Sequence, residues 1–199
     1  MKLFGARTPV SDAARPSNLN RPTGSAYHFH SSDNPMRDSY MASTIEPWAA
    51  ALGRIPSGLF IVTVRTATAE TGMLASWVQQ CSFDPPQLTV AVRKDRYLLD
   101  WLADDAAFTV NVLAEGQKPF LAHFGKGFEP GEPAFEGLDV RRIGDSAPIL
   151  LAAHAHLDCR VVGRFDAGDH VLVHGCVVGG EVLHDGKPAT HVRRTGTTY

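Results

Sequence analysis

Between Leu157 and Leu183 the sequence commits the chain to antiparallel pairing. In Leu157 to Phe165 the odd positions Leu157, Cys159, Val161, Gly163 and Phe165 alternate with the mostly polar Asp158, Arg160, Val162 and Arg164. That two-residue period is the signature of a strand with one face buried. Asp166, Ala167, Gly168 and Asp169 supply turn chemistry, and His170 to Leu183 returns as a second long strand, so the unit reads as a hairpin. Further strands are predicted where β-branched and aromatic residues cluster, at Gly58 to Arg65, Gln87 to Arg93 and Ala107 to Leu113. Helical signals are few and short. Glu46 to Arg54 carries Pro47 in its first turn, Asp95 is expected to cap a helix with Tyr97, Leu98, Trp101 and Leu102 on one face, and Pro119 to Phe124 makes one more turn. Strands do not alternate with long helices and no stretch repeats, which excludes a doubly wound parallel sheet. The expected fold is mainly β, an antiparallel barrel with a few short peripheral helices.

Charge and composition narrow the function. Nineteen Lys and Arg against 21 Asp and Glu leave a formal net charge of −2, so there is no general attraction to phosphate backbones or anionic lipid. No uncharged apolar stretch approaches the roughly 20 residues a membrane helix needs, and no apolar leader opens the chain. Neither nucleic acid nor membrane is an expected partner. Three cysteines, Cys81, Cys159 and Cys176, cannot all pair and lack metal-ligand spacing, which suits free thiols in a reducing, cytoplasmic setting. Residues 1–44 differ from the rest: Lys2, Arg7, Arg15, Arg21 and Arg37 lie among Ser and Pro without an apolar period, the composition of a mobile tail. Its basic, acid-poor character is also compatible with an organelle address such as a plastid transit peptide. Residues 45–199 form the expected folded domain.

The segment with most chemistry is Gly72 to Pro86, GMLASWVQQCSFDPP. It reads as a strand, an irregular stretch of small and polar residues, and a double proline that stiffens the exit into QLTVAVRK. Such a stretch exposes backbone N–H groups and the hydroxyls of Ser76 and Ser82 at a rim, where they suit the polar edge of a planar heterocycle. One strand later come Arg93, Lys94 and Arg96, cations suited to a phosphate. The same residues also describe a plain hairpin with a solvated charged turn. Nine histidines raise the question of metal, but His154 with His156 and His170 with His174 lack acidic ligands in a matching pattern, so no metal site is expected. Gly125 and Gly127 resemble the start of a dinucleotide loop, yet its third glycine would fall on Pro130.

The segment resembles the flavin mononucleotide signature of the flavin reductase-like family. FTVNVL (Phe108 to Leu113), HF (His123, Phe124), FEPGEPAFEGL (Phe128 to Leu138) and GDH (Gly168 to His170) follow in that family's order, over about Leu52 to Tyr199. GMLASW and PATHVRRTGTTY are most similar to the flavin reductase modules of flavodiiron proteins. The metallo-β-lactamase-like and flavodoxin-like parts of those fusions are absent from this sequence, so their oxygen-reducing chemistry is not carried over. The resemblance implies an FMN-binding split β-barrel of Greek-key type. It implies that Leu74, Ala75, Ser76 and Trp77 line the isoalloxazine, that Ser82 bonds the flavin or its ribityl chain, and that Lys94 and Arg96 meet the phosphate. His170 would reach the cofactor or the nicotinamide pocket. It further implies a homodimer that takes hydride from NAD(P)H to flavin and passes electrons to an acceptor, with a protein acceptor among the candidates.

Hydride transfer from nicotinamide to flavin demands stacking and orientation more than a nucleophile or an acid–base pair, and the sequence offers no catalytic residue of that kind. Three rivals remain at this point. One is a flavin-binding electron carrier that does not act on nicotinamide, one a pyridoxamine-phosphate oxidase-like flavoprotein on the same barrel, and one a structural barrel without cofactor.

Overall fold

The structure is a computed structural model that describes residues 45–198. The tail expected over residues 1–44 lies outside them. Helix α1 (Pro47–Gly53) starts on Pro47, whose missing N–H is harmless in a first turn. It is followed by β1 (Ser57–Gly58), β2 (Phe60–Arg65), β3 (Glu70–Ala75), β4 (Val78–Phe83), β5 (Pro86–Arg93), α2 (Leu98–Trp101), β6 (Ala107–Val112), α3 (Lys118–Gly125), β7 (Val140–Arg141), β8 (Ile149–Leu150), β9 (Ala155–Ala167), β10 (His170–Val182) and β11 (Thr190–His191).

Seven strands form one antiparallel sheet in the order β3-β2-β6-β9-β10-β5-β4. Its two edge strands, β3 and β4, are separated in the chain only by Ser76 and Trp77. Two residues span at most about 11 Å between flanking Cα atoms, so the sheet must curl until its edges meet at this point. The result is a barrel closed at one corner and open along the rest of the seam.

Inside the barrel lie Val62, Val64, Val90, Val92, Phe108 and Val110, each at most 1% exposed. Leu98, Leu99 and Leu102, from α2 and the residue that ends it, pack into this core. The alternate residues of β2 and β6 are equally buried, because α3 and the segment through β7 and β8 cover the outer face with a second core containing Ile61, Leu113, Phe124, Phe135 and Leu150. Burial on both faces explains why FIVTV reads as a continuous apolar run. On that face Thr63, Thr109 and Asn111 hold the covering segment. Thr63 Oγ1 donates to the Pro148 carbonyl at 2.6 Å, Asn111 Nδ2 donates to the Ile61 carbonyl at 3.1 Å, and Asn111 Oδ1 accepts from the Leu150 N–H at 2.8 Å. Gly72 is required on β3, since a Cβ there would stand 2.8 Å from the Phe124 ring of α3.

Three sequence expectations change. The stretch after Trp77, expected to be irregular, is strand β4, because β5 supplies a pairing partner from Val78↔Val90 to Phe83↔Pro86. Asp95 does not cap α2: Tyr97 stands at that position without a side-chain cap, and Asp95 accepts instead from Arg93 Nε at 2.9 Å. The inward phase of β9 ends at Val161. Phe165 is 67% exposed, because β6 begins opposite Arg160 and no strand lies beyond it on that side.

Candidate functional site

A cleft of about 410 Å³ opens at the closed corner of the seam, within the roughly 300 to 1,000 Å³ common for small-molecule sites. β3 and the link contribute Leu74, Ala75 and Ser76, β5 contributes Ala91 and Arg93, and α3 contributes Leu121, Phe124 and Gly125. Arg96, from the turn before α2, His170, from the start of β10, and His191, from β11, complete the rim. The walls are therefore largely aliphatic and aromatic, with two guanidinium groups and two imidazoles at the edges. Among the described residues, no carboxylate lines the cleft. Of the two guanidinium groups, Arg93 is paired with Asp95, which leaves Arg96 as the cation placed to meet an anion.

Ser76 is 6% exposed, and its Oγ has no hydrogen-bond partner among the described residues. A buried hydroxyl without a partner is unfavourable by about 1 to 3 kcal/mol, a deficit that a ligand bonding it would remove. Arg93 donates to Asp95, whose carboxyl is held below the usual carboxylate range chiefly by that bond. His170 is 7% exposed, and its Nδ1 lies 2.8 Å from Asp169 Oδ1. This bond, with Arg93 nearby, keeps the Asp169 carboxyl below its ordinary value. It also fixes the ring so that Nε2 is the nitrogen that remains for a ligand.

Of the residues singled out from sequence, Leu74, Ala75, Ser76, Arg96 and His170 are brought together at this cleft. Trp77 stands behind it. Its indole packs against His170 at 5.0 Å between ring centroids, the Arg193 guanidinium lies 4.6 Å over it, and it lines an adjoining groove with Ser76 and Ala91. Lys94 is directed elsewhere: its Nζ meets both carboxylate oxygens of Asp166 at 2.8 Å. Ser82 sits on β4 opposite Gln87, outside the cleft lining. Leu121, Phe124 and His191 line the cleft without having been given a site role from sequence, and so does Arg93, which the sequence offered as a cation suited to a phosphate but the family resemblance did not assign. For Arg93 a signal existed, since Ala91 and Arg93 share the face of β5 opposite Leu88, Val90 and Val92. The two-residue strand that carries His191 has no such pattern.

An apolar slot with an unanswered hydroxyl on one wall and cations at one end is chemically suited to a phosphorylated aromatic heterocycle such as a flavin nucleotide. Comparison with known proteins agrees. The family model described as a flavin reductase like domain matches residues 52–198. Diflavin flavoprotein A 1 of Synechocystis sp. is 40% identical over 151 residues, which cover 75% of this chain and 26% of that protein. The chain thus spans about a quarter of the length of the curated relatives it matches. Among solved structures, the NADH:FAD oxidoreductase of Streptomyces globisporus superposes with a TM-score of 0.66 at 29% identity, over 72% of this chain and 85% of that one. Nitrilotriacetate monooxygenase component B from Mycobacterium thermoresistibile gives 0.64 at 28%, over 73% and 80%. The chain belongs to the flavin reductase-like family, and its fold is that family's split barrel.

Proposed function

We propose that this chain binds FMN in the cleft and catalyses reduction of flavin by NAD(P)H, from which electrons pass to a second flavin or a protein acceptor. The observation that carries the reading is the pairing of the buried Ser76 Oγ, without a partner among the described residues, with an arginine-bearing rim to which those residues contribute no carboxylate. A bound flavin would supply the redox chemistry, as acceptor of a hydride from nicotinamide and donor of electrons to the acceptor. The chain's residues bind and orient. Ser76 Oγ offers a hydrogen bond to the polar edge of the ring system, Leu74, Leu121 and Phe124 exclude water from its faces, and Arg96 holds the phosphate. His170, steadied by Asp169 on one side and Trp77 on the other, stands at the rim where a nicotinamide would enter.

A homodimer is part of this reading. β4 is an edge strand with Gln79, Gln80 and Cys81 exposed, and Phe83 beside its turn is 90% exposed. An apolar opening of about 280 Å³, lined by Phe60, Val78, Leu88, Val110 and Leu157, adjoins it. Edges and apolar mouths of this kind are what a second copy covers. Three free cysteines among the described residues support a reducing compartment, the cytoplasm. Among those residues, no helix is long and apolar enough to cross a membrane.

The test is to load purified protein with FMN and mix it anaerobically with NADH or NADPH. Loss of the oxidised flavin's visible absorbance at a rate far above that of free FMN is the expected result. Tight FMN binding with no reduction by either nicotinamide would replace the reductase with an electron-carrier module, and failure to bind FMN, FAD or riboflavin would end the flavin reading.

A further inference from the structure

The cation at the phosphate end is held in an unusual way. Arg96 lies across the backbone of the loop that follows α3, so close that a Cβ built on Gly127 would stand 2.6 Å from Arg96 Nη1. Gly127 also has a left-handed φ of +78°, where side chains are disfavoured. Neither backbone is free to withdraw. On the loop side the Gly127 N–H donates to the Phe124 carbonyl at 3.2 Å, and the next residue, Phe128, packs on Phe124 and His123 at 5.7 and 5.2 Å between centroids. On the other side the Arg96 N–H donates to the Arg93 carbonyl and the Arg96 carbonyl accepts from Leu99, whose side chain is buried in the barrel core. The side chain of Arg96 is the part that would yield.

We propose that Gly127 is a positioning residue for anion recognition: by lacking a side chain it lets the Arg96 guanidinium lie against the loop and face the cleft, and any Cβ at this position turns the guanidinium away. The inference rests on the reading of the cleft as a flavin-phosphate site and names a second determinant of its specificity. Gly127 touches no ligand itself. It acts through Arg96, so its effect must appear only for ligands that carry a phosphate.

The experiment compares FMN with riboflavin, which lacks the phosphate, by titration of the full chain and of Gly127→Ala, Gly131→Ala, Arg96→Ala and the double variant Gly127→Ala/Arg96→Ala. Gly131 is the internal control: it has φ +87° in the same loop, but a Cβ there meets nothing within 4 Å. Gly127→Ala is expected to weaken FMN by roughly tenfold to a hundredfold, the range for charge-assisted bonds to phosphate, with riboflavin unchanged. Gly131→Ala should leave the ratio of the two affinities as it was, and the double variant should bind FMN no worse than Arg96→Ala alone. Equal losses for both ligands, equal behaviour of the two glycine variants, or additive losses in the double variant would overturn the proposal. If Arg96→Ala itself leaves the ratio unchanged, the phosphate reading fails with it; if Arg96→Ala shifts the ratio and Gly127→Ala does not, only the role of Gly127 fails. Should Gly127→Ala not fold, Gly127→Asn tolerates the left-handed backbone while still carrying a Cβ, and the same ratio decides.

Discussion

Two sets of buried polar side chains lie on this barrel, and they behave in opposite ways. On the outer face Thr63, Thr109 and Asn111 are each at most 1% exposed and each is answered from within the chain: Thr63 by Pro148, Thr109 by Asp158 at 3.1 Å, Asn111 by Ile61 and Leu150. At the cleft Ser76 is nearly as buried, yet its hydroxyl is answered by nothing among the described residues. The first set fastens the segment containing β8 to the sheet, and its free energy is realised on folding. The second leaves a hydrogen bond unmade, which the proposed ligand would complete. A buried polar group with partners is part of the scaffold; on the proposed reading, the one without a partner beside the cleft serves the ligand.

The largest effect that would test this contrast is expected from Asn111→Leu. It removes a donor and an acceptor and strands the Leu150 N–H, so unfolding free energy should fall by about 2 to 4 kcal/mol in urea titrations. The FMN affinity of the molecules that remain folded should be unchanged. Ser76→Ala should do the reverse: stability holds or rises by up to about 1 to 3 kcal/mol, because no bond is lost and an unanswered buried hydroxyl is removed, while flavin affinity falls roughly fivefold to tenfold. A large loss of stability in Ser76→Ala would erase the distinction. Next in size, Lys94→Ala should weaken FMN far less than Arg96→Ala, since Lys94 is engaged by Asp166 on the hairpin turn. Matching losses, measured by the same titration, would put the phosphate between the two cations.

The effect that vanishes at neutral pH concerns a group that belongs to neither set. Burial in the barrel core, with Asp158 and Cys176 adding to it, pushes the Cys159 thiol from 9.0 up to about 12. The folded state thus favours the neutral thiol. That contribution is complete below pH 9, where the unfolded thiol is still protonated, and is lost as pH rises toward 12. Cys159→Val should accordingly flatten the decline of stability over this interval, and Cys81, which is exposed, should be the first of the three thiols to react with a disulfide reagent.

What could be read from the sequence follows from how local each signal is. The β9–β10 hairpin, β5 and β6 were visible because alternation and turn residues are written within a dozen positions. β4 was not, because Gln79, Gln80, Cys81 and Ser82 have little strand character of their own and are extended by pairing with β5. Ser76 and Arg96 were accessible through the order of the motifs. Their separation from Lys94 and Ser82 was not, since it depends on where the turn after β5 aims each side chain and on Asp166, more than seventy positions away, claiming one cation. His191 reaches the cleft only because β11 pairs with β1.

The seam at Ser76 and Trp77 also dictates when the site can come into being. The strands that it joins stand at opposite edges of the sheet, and the hairpin β9–β10, far later in the chain, is the bridge between β6 and β5 that lets those edges curl together. A ribosome releases residues in order, so a nascent chain can complete the β2–β3 and β4–β5 pairs early while the cleft still lacks its rim. His170 and His191 arrive with the last strands. If the cleft is the cofactor site, as proposed, cofactor capture is consequently a late event in the life of each molecule. A chain arrested before β10 would present the small-residue segment and the arginines as unassembled parts, unable to hold a flavin or to expose a reduced one to oxygen.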